Sequence, residues 1–330
     1  MWSMYGDGII DRTGSITDLV DDINNDGMLD NVKYSNITPT PLPSTKTTDK
    51  DFATICSERT AELKQIAADA NKDILLLWSG GIDSTAALCA FIDEADFEFK
   101  VACNEETMIE YKTMYDSIVA GEKEGDGVTE VINSSAYPAS YFNENYIVVT
   151  GELGDQLCGT NNHFEGGMQG SRIVLRSNLL DNWEDVVDAS IITNDVRASL
   201  AQAPFEIVDF ADFLWWFNFT MKWHAVENRL LQAVFGVIDQ FTAELVDGVD
   251  NNVHHFYNSE TFQQWAMSNR TLNKQYIVDN KIMNIKKPLK DYILAKTGDN
   301  IYYMNKGKAF SLKEGVFMTQ GSLNQTTSSF

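Results

Sequence analysis

The sequence predicts an α/β protein: a doubly wound parallel sheet of Rossmann-like type, followed by a C-terminal, mainly helical subdomain. Three observations predict it. Between about residues 52 and 150, short apolar runs alternate with helical patterns, as they do when parallel strands are joined by helical crossovers. Two glycine- and acid-bearing turns, Ser79-Gly80-Gly81-Ile82-Asp83-Ser84 and Gly151-Glu152-Leu153-Gly154-Asp155, each follow directly on a buried-strand pattern. Beyond about Gly170 the strand signal fades and an aromatic-rich helical stretch takes over.

The elements follow in order. Residues 1 to about 50 read as an extended arm, because Pro39, Pro41 and Pro43 cluster in ITPTPLPSTKTT. Within it, Asp22 to Asp30 matches the first nine positions of an EF-hand loop. The twelfth position, which needs a bidentate glutamate, is Lys33, and an acidic turn is the plainer reading. From Phe52 the pattern is helical, with Phe52, Ile55, Leu63, Ile66 and Ala70 on one stripe and Glu58, Glu62 and Lys64 facing away. Ile74 to Trp78 is a continuous apolar run, the mark of a strand covered on both faces. A helix over 84–95, a strand over Phe99–Cys103 and a helix over Glu105–Ala120 come next, then strands at Val128–Ile132 and Tyr146–Thr150. These assign 51–175 to the α/β core and 176–310 to the helical part. There Asp209 to Trp223 is dense enough in aromatics to be a buried helix, and 311–330 is a polar tail.

Composition narrows the function. With 330 residues and 44% hydrophobic content, the chain can build one large core or two moderate ones. No apolar run approaches the roughly 20 residues that span a bilayer, and the N-terminus lacks the apolar segment of a signal peptide. Cys56, Cys89, Cys103 and Cys158 form no CxxC pair, so zinc and a disulfide framework are disfavoured and a cytoplasmic protein is expected. The formal charge of −23 opposes a nucleic-acid partner.

The turn at Ser79 brings backbone N–H groups and the positive end of a helix dipole to the end of a strand, an arrangement suited to phosphate. Glycines admit a close ligand, and Ser79, Ser84 and Thr85 supply hydroxyls. A Walker loop would need a lysine that is not there. An ordinary capped strand–turn–helix is the alternative.

SGGIDS resembles the PP-loop of the ATP pyrophosphatase superfamily, whose members grip pyrophosphate and split ATP between its α- and β-phosphates. Followed by TGELGDQLCGT, it is similar to the synthetase domain of the asparagine synthetase family, whose second motif reads approximately S-G-E-G-x-D-E-L-F-G-G, an arrangement that β-lactam synthetases share. Three less specific segments continue in order. Val226-Glu227-Asn228-Arg229 is similar to V-E-A-R, Lys287-Pro-Leu-Lys290-Asp-Tyr-Ile293 to K-x-x-L-R-x-A-F, and Tyr303-Met-Asn-Lys306-Gly-Lys308-Ala-Phe310 to Y-R-x-K-x-x-F.

The resemblance implies an ATP-dependent, Mg²⁺-requiring ligase that adenylates a carboxylate, releases pyrophosphate and passes the acyl group to ammonia or another amine. It gives Ser79, Gly80, Gly81, Asp83, Ser84, Thr85 and Gly151 to the nucleotide, Asp83 and Asp155 to the metal, and Glu152 and Lys306 to catalysis. Lys308 is the alternative lysine. For Glu227 and Arg229 a buried ion pair is the plainer role. The departures are definite. Trp2 stands where glutamine-using members carry a cysteine nucleophile, and the arm is too short for an amidotransferase domain. Ammonia would then come free or from a separate glutaminase subunit, and a homo-oligomer is compatible. Gln156 and Cys158 replace the glutamate and phenylalanine of the second motif, which points away from aspartate as substrate more than away from the ATP chemistry. Two other readings stay open: another PP-loop nucleotide enzyme, or a nucleotide-binding module without catalysis that docks a partner through its arm.

Overall fold

The computed structural model describes residues 48–94, 97–119, 127–133, 145–159, 181–186, 194–220, 223, 226, 251–273, 276–278, 281–283 and 286–305. In chain order the elements are α1 Phe52–Ala70, β1 Asp73–Leu77, α2 Ile82–Ile92, β2 Phe99–Cys103, α3 Glu105–Glu110, α4 Lys112–Val119, β3 Val128–Asn133, β4 Tyr146–Thr150 and α5 Gly154–Cys158. There follow α6 Trp183–Val186, α7 Asn194–Ala201, α8 Phe210–Thr220, β5 Val253–His255, α9 Glu260–Ser268, α10 Arg270–Asn273, β6 Tyr276–Val278, β7 Lys281–Met283, α11 Lys287–Thr297 and α12 Asn300–Asn305. The chain divides into two compact units. One contains Asp51–Glu152, Asn228–Phe256 and Leu289 onward; the other contains Leu153–Glu227 and Tyr257–Pro288.

The first unit carries a five-stranded sheet in the order β3-β2-β1-β4-β5, and every pairing in it is parallel. This is an α/β arrangement compatible with a Rossmann-like fold. β1 is central, in register with β2 through Leu76↔Val101 and with β4 through Leu76↔Val149. That position explains its composition, because Ile74 to Leu77 are covered on both faces and all are buried. Of the six strands and helices expected between 73 and 150, five are found with ends within about three residues of those expected. The sixth differs: the helix expected over 105–120 is broken at Tyr111, whose backbone (φ −149°, ψ 75°) ends α3 before α4 begins. β5 was not legible at all. It is three residues long, reads Val-His-His, and joins the sheet from a point in the chain about a hundred residues after β4.

Helix α1 packs its apolar stripe on this sheet. Asp51 caps it, accepting the Thr54 amide at 2.7 Å, and Asn71 stops it in the left-handed conformation. Phe52, Ile55 and Leu63 are buried as the spacing predicts, Ile66 is half-buried, and Ala70 falls in the exposed last turn, where Ala67 is buried instead. The same helix buries Arg59, which the hydrophobic pattern does not announce. Its guanidinium donates to the carbonyls of His255 (3.1 Å) and Phe256 (3.0 Å), satisfying the backbone where β5 ends, and pairs with Glu62.

The second unit is mainly helical among the described residues, with the antiparallel pair β6–β7. Helix α8 is its core. All eleven of its residues are buried, as the aromatic density predicts. Its indoles find partners: Trp215 Nε1 donates to Leu157 O (3.1 Å) and Trp216 Nε1 to Ser199 O (2.8 Å). Its one buried carboxylate, Asp212, is paired with Arg270. No helix among the described residues is long and apolar enough to cross a membrane. The arm with its EF-hand-like turn, Glu227, Arg229, Lys306, Lys308 and the polar tail lie outside the described residues.

One group couples this fold to pH. Burial pushes the His254 imidazole in β5 down to about 4, and the nearby Arg59 guanidinium adds to the effect. A histidine depressed in the folded state is protonated first in the unfolded chain. Its contribution is therefore present above the unfolded value of about 6.5 and is lost as pH falls towards 4. Between pH 7 and pH 5 this one group should cost at most about 2 kcal/mol of unfolding free energy. Denaturant titrations at the two pH values should show that loss, and His254→Leu should make the difference smaller.

Candidate active site

The strand order reverses at β1: the chain runs from β1 out to β2 and β3, then returns to β4 on the other side. In open parallel sheets such a reversal opens a crevice beyond the carboxyl ends of the two strands that flank it, here β1 and β4. Ser79-Gly80-Gly81 leaves β1 there, and Gly151-Glu152 leaves β4 there.

Two close contacts fix these turns. A Cβ on Gly151 would lie 2.5 Å from both the backbone N and Cα of Ser84, so the end of β4 is flush against the first turn of α2. Gly80 has φ +75°, and a Cβ there would lie 2.7 Å from Thr107 O and from Glu110 Cβ. Gly80 thus meets both demands that only glycine meets, a left-handed backbone and a neighbour at van der Waals range. Thr107 supports the same turn: it forms a capping box with Asn104 and donates its hydroxyl to Trp78 O at 3.0 Å.

The hydroxyls of the turn divide into two sets. Ser79 is exposed; its Oγ lies 3.0 Å from Ser84 Oγ and accepts the Gly81 amide at 3.3 Å. Ser84 is buried and also donates to Gly81 O at 3.2 Å. Thr85 is fully buried and faces inward, where Trp78 Nε1 donates to its Oγ1 at 3.0 Å and Tyr302 Oη lies 3.2 Å away. Its hydroxyl belongs to the support of the turn rather than to its open side. Asp83 is half-buried in the first turn of α2, where a carboxylate is favourable beside the helix dipole.

At the other strand end, the Glu152 amide donates to Thr150 Oγ1 (3.2 Å), and that hydroxyl lies 2.7 Å from Nδ1 of the buried His255. Glu152 itself is half-buried. At the Glu152–Leu153 bond the chain passes into the second unit. Leu153 takes φ +75°, a conformation uncommon for a residue with a side chain, and it begins α5. Asp155 lies in α5 and is paired within that unit with Lys286 at 2.6 Å.

The structure therefore gathers Ser79, Gly80, Gly81, Asp83, Ser84, Thr85, Gly151 and Glu152 in one unit, and sets Asp155 in the other. Three groups escaped the sequence reading. His255 sits on the unrecognised strand, and Tyr302 is the residue before the tyrosine of the matched segment. Lys286 carried a signal: it stands three residues before Leu289, the spacing of K-x-x-L, whereas Lys287 stands two. Among the described residues no cluster of three or more metal-ligating side chains occurs. The chain matches no protein-family model, no curated protein and no solved structure.

The contact at Gly151 makes a test that depends on packing alone. Gly151→Ala places a methyl against backbone that has no rotamer to change, and should lower stability by about 1–3 kcal/mol. Chemical denaturation followed by circular dichroism measures this. A midpoint equal to that of the unsubstituted protein would contradict the close approach.

Proposed function

We propose that the chain is an ATP-dependent, amide-forming ligase that uses a PP-loop and resembles the synthetase domain of asparagine synthetases, with a nucleotide core and a helical subdomain. One observation carries the proposal: the glycine turn after β1 and the Gly151-Glu152 turn after β4 are neighbours where the strand order reverses. A nucleotide phosphate fits there, because Gly81 N–H and Ser79 Oγ are on the exposed side of the turn beside the N-terminus of the eleven-residue α2.

In this reading the open face of the turn holds the pyrophosphate portion of ATP while the carboxylate oxygen of the second substrate attacks the α-phosphorus. Pyrophosphate leaves; the amine then attacks the activated carbonyl, and AMP leaves. Ser79, Gly81 and the α2 N-terminus bind the phosphates, whereas Gly80, Thr85 and Gly151 act by shaping the turn. Glu152 is the carboxylate assigned to orient the amine and accept its proton. Mg²⁺, where bound, would offset phosphate charge; its ligands in the proposal are Asp83 and Asp155, by the sequence motif, and hard carboxylate oxygens suit it. Asp155 Oδ1 is engaged by Lys286. Lys306 is assigned to developing negative charge on the leaving group. Free ammonia, or ammonia from a separate glutaminase subunit, supplies the amine.

The experiment is product analysis with ATP, Mg²⁺, a panel of carboxylates including amino acids, and ammonium present or omitted. AMP and pyrophosphate should form with one carboxylate, and Asp83→Asn or Asp155→Asn should slow their release by about 100-fold or more. Formation of ADP and phosphate would exclude the PP-loop reading. ATP binding with no turnover across the panel would favour a binding module.

A further inference from the structure

Beneath the glycine turn, hydrogen bonds join Trp78, Thr85, Tyr302 and the carbonyl of Gly80. Trp78 Nε1 can only donate, and a backbone carbonyl can only accept. Between Trp78 and the carbonyl of Gly80 stand two hydroxyls, Thr85 and Tyr302, each with one proton. Trp78 Nε1 donates to Thr85 Oγ1 (3.0 Å), and Tyr302 Oη directs its hydroxyl towards both Thr85 Oγ1 (3.2 Å) and Gly80 O (2.9 Å). The one Tyr302 proton has two acceptors in reach, and Gly80 O is the nearer. Burial pushes the Tyr302 phenol well above its ordinary range, so it keeps the proton it donates. Its ring is held independently, stacked on Tyr111 with centroids 3.7 Å apart.

The consequence lies one atom further on. In a trans peptide the carbonyl of one residue and the N–H of the next point in opposite directions, and no described peptide is cis. With the Gly80 carbonyl drawn into the protein by Tyr302, the Gly81 N–H is turned to the open side, where Ser79 Oγ accepts it. Flanked by two glycines, this peptide has no side chain of its own to fix its plane, so its two hydrogen bonds orient it. We infer that Tyr302 is a positioning residue: its hydroxyl locks the Gly80–Gly81 peptide so that the Gly81 amide faces a bound pyrophosphate group. The inference rests on the nucleotide-binding reading and adds to it a residue outside every matched motif position, since the matched tyrosine is Tyr303.

The test uses the full chain and inorganic pyrophosphate with Mg²⁺ as the probe, titrated by calorimetry. Tyr302→Phe keeps the ring and removes the donor; pyrophosphate affinity should fall about tenfold and the KM for ATP should rise similarly. Tyr111→Leu removes the stacking partner and spares the hydroxyl; it should lower the denaturation midpoint and leave pyrophosphate affinity unchanged. Should Tyr302→Phe fail to fold, the Gly81 amide resonance of the unsubstituted protein decides, because it must shift when pyrophosphate is added. Equal affinity in Tyr302→Phe, affinity losses that track stability in both variants, or a Gly81 resonance that does not move would overturn the inference alone. If the unsubstituted protein binds neither pyrophosphate nor ATP, the functional reading falls and takes the inference with it.

Discussion

The contact between Gly151 and the first turn of α2 is the constraint on which the rest of the strand-end region depends. With no Cβ at 151, the end of β4 reaches the backbone of Ser84 directly. That brings Glu152 beside a helix N-terminus and leaves Thr150 in line with its sheet neighbour His255. Had β4 stood off by the width of a methyl group, the two turns would have been separated by side chain rather than joined by backbone. Gly80 repeats the solution on the other side, against Thr107 and Glu110. Two glycines thus set the spacing of three elements, and a shift in any one is resisted by the hard packing of the others.

Such compactness exposes a second problem. Where parallel strands end, their last carbonyls lose the ladder, and buried ones need donors. The unit supplies them from side chains distant in sequence: Arg59 for His255 and Phe256, Thr107 for Trp78, Tyr302 for Gly80. These donors all lie on the buried side. The exposed side of the glycine turn keeps the Ser79 hydroxyl and the Gly81 amide, which satisfy each other at 3.3 Å, a long bond that an anion could replace. The turn is therefore anchored from below and adaptable from above.

Much of this was legible in the sequence because local pattern and tertiary position agree. A strand buried on both faces must be apolar, and β1 is from Ile74 onward; a helix at the centre of a helical unit must be mostly apolar on every face, and α8 is, with its buried Asp212 paired to Arg270. What escaped was decided by long-range partners. β5 has three residues, two of them histidines, and it is a strand because β4 offers it an edge and Arg59 completes its carbonyls. Tyr111 interrupts an otherwise continuous helical pattern, and its ring covers Tyr302, some 190 residues later. Thr85 and Ser79 are equally plausible phosphate ligands as letters; only the placement of Trp78 and Tyr302 separates the inward hydroxyl from the outward one.

Leu153 shows how the second turn is held. A left-handed backbone at a residue with a side chain costs about 1–2 kcal/mol, and glycine would avoid that cost. Leucine has a reason to be there: its side chain is 1% exposed, and burying a leucine contributes about 1.5–3 kcal/mol. The two magnitudes are comparable, so packing can hold the backbone where local preference would not. Rigidity follows from that opposition, because relaxing the backbone would withdraw the side chain and glycine would admit other conformations. The residue so constrained is the one directly after Glu152, which has Thr150 accepting its amide on the other side. The backbone at Glu152 is thus held from both directions, by the Thr150 hydroxyl on its amide and by the buried Leu153 that follows it.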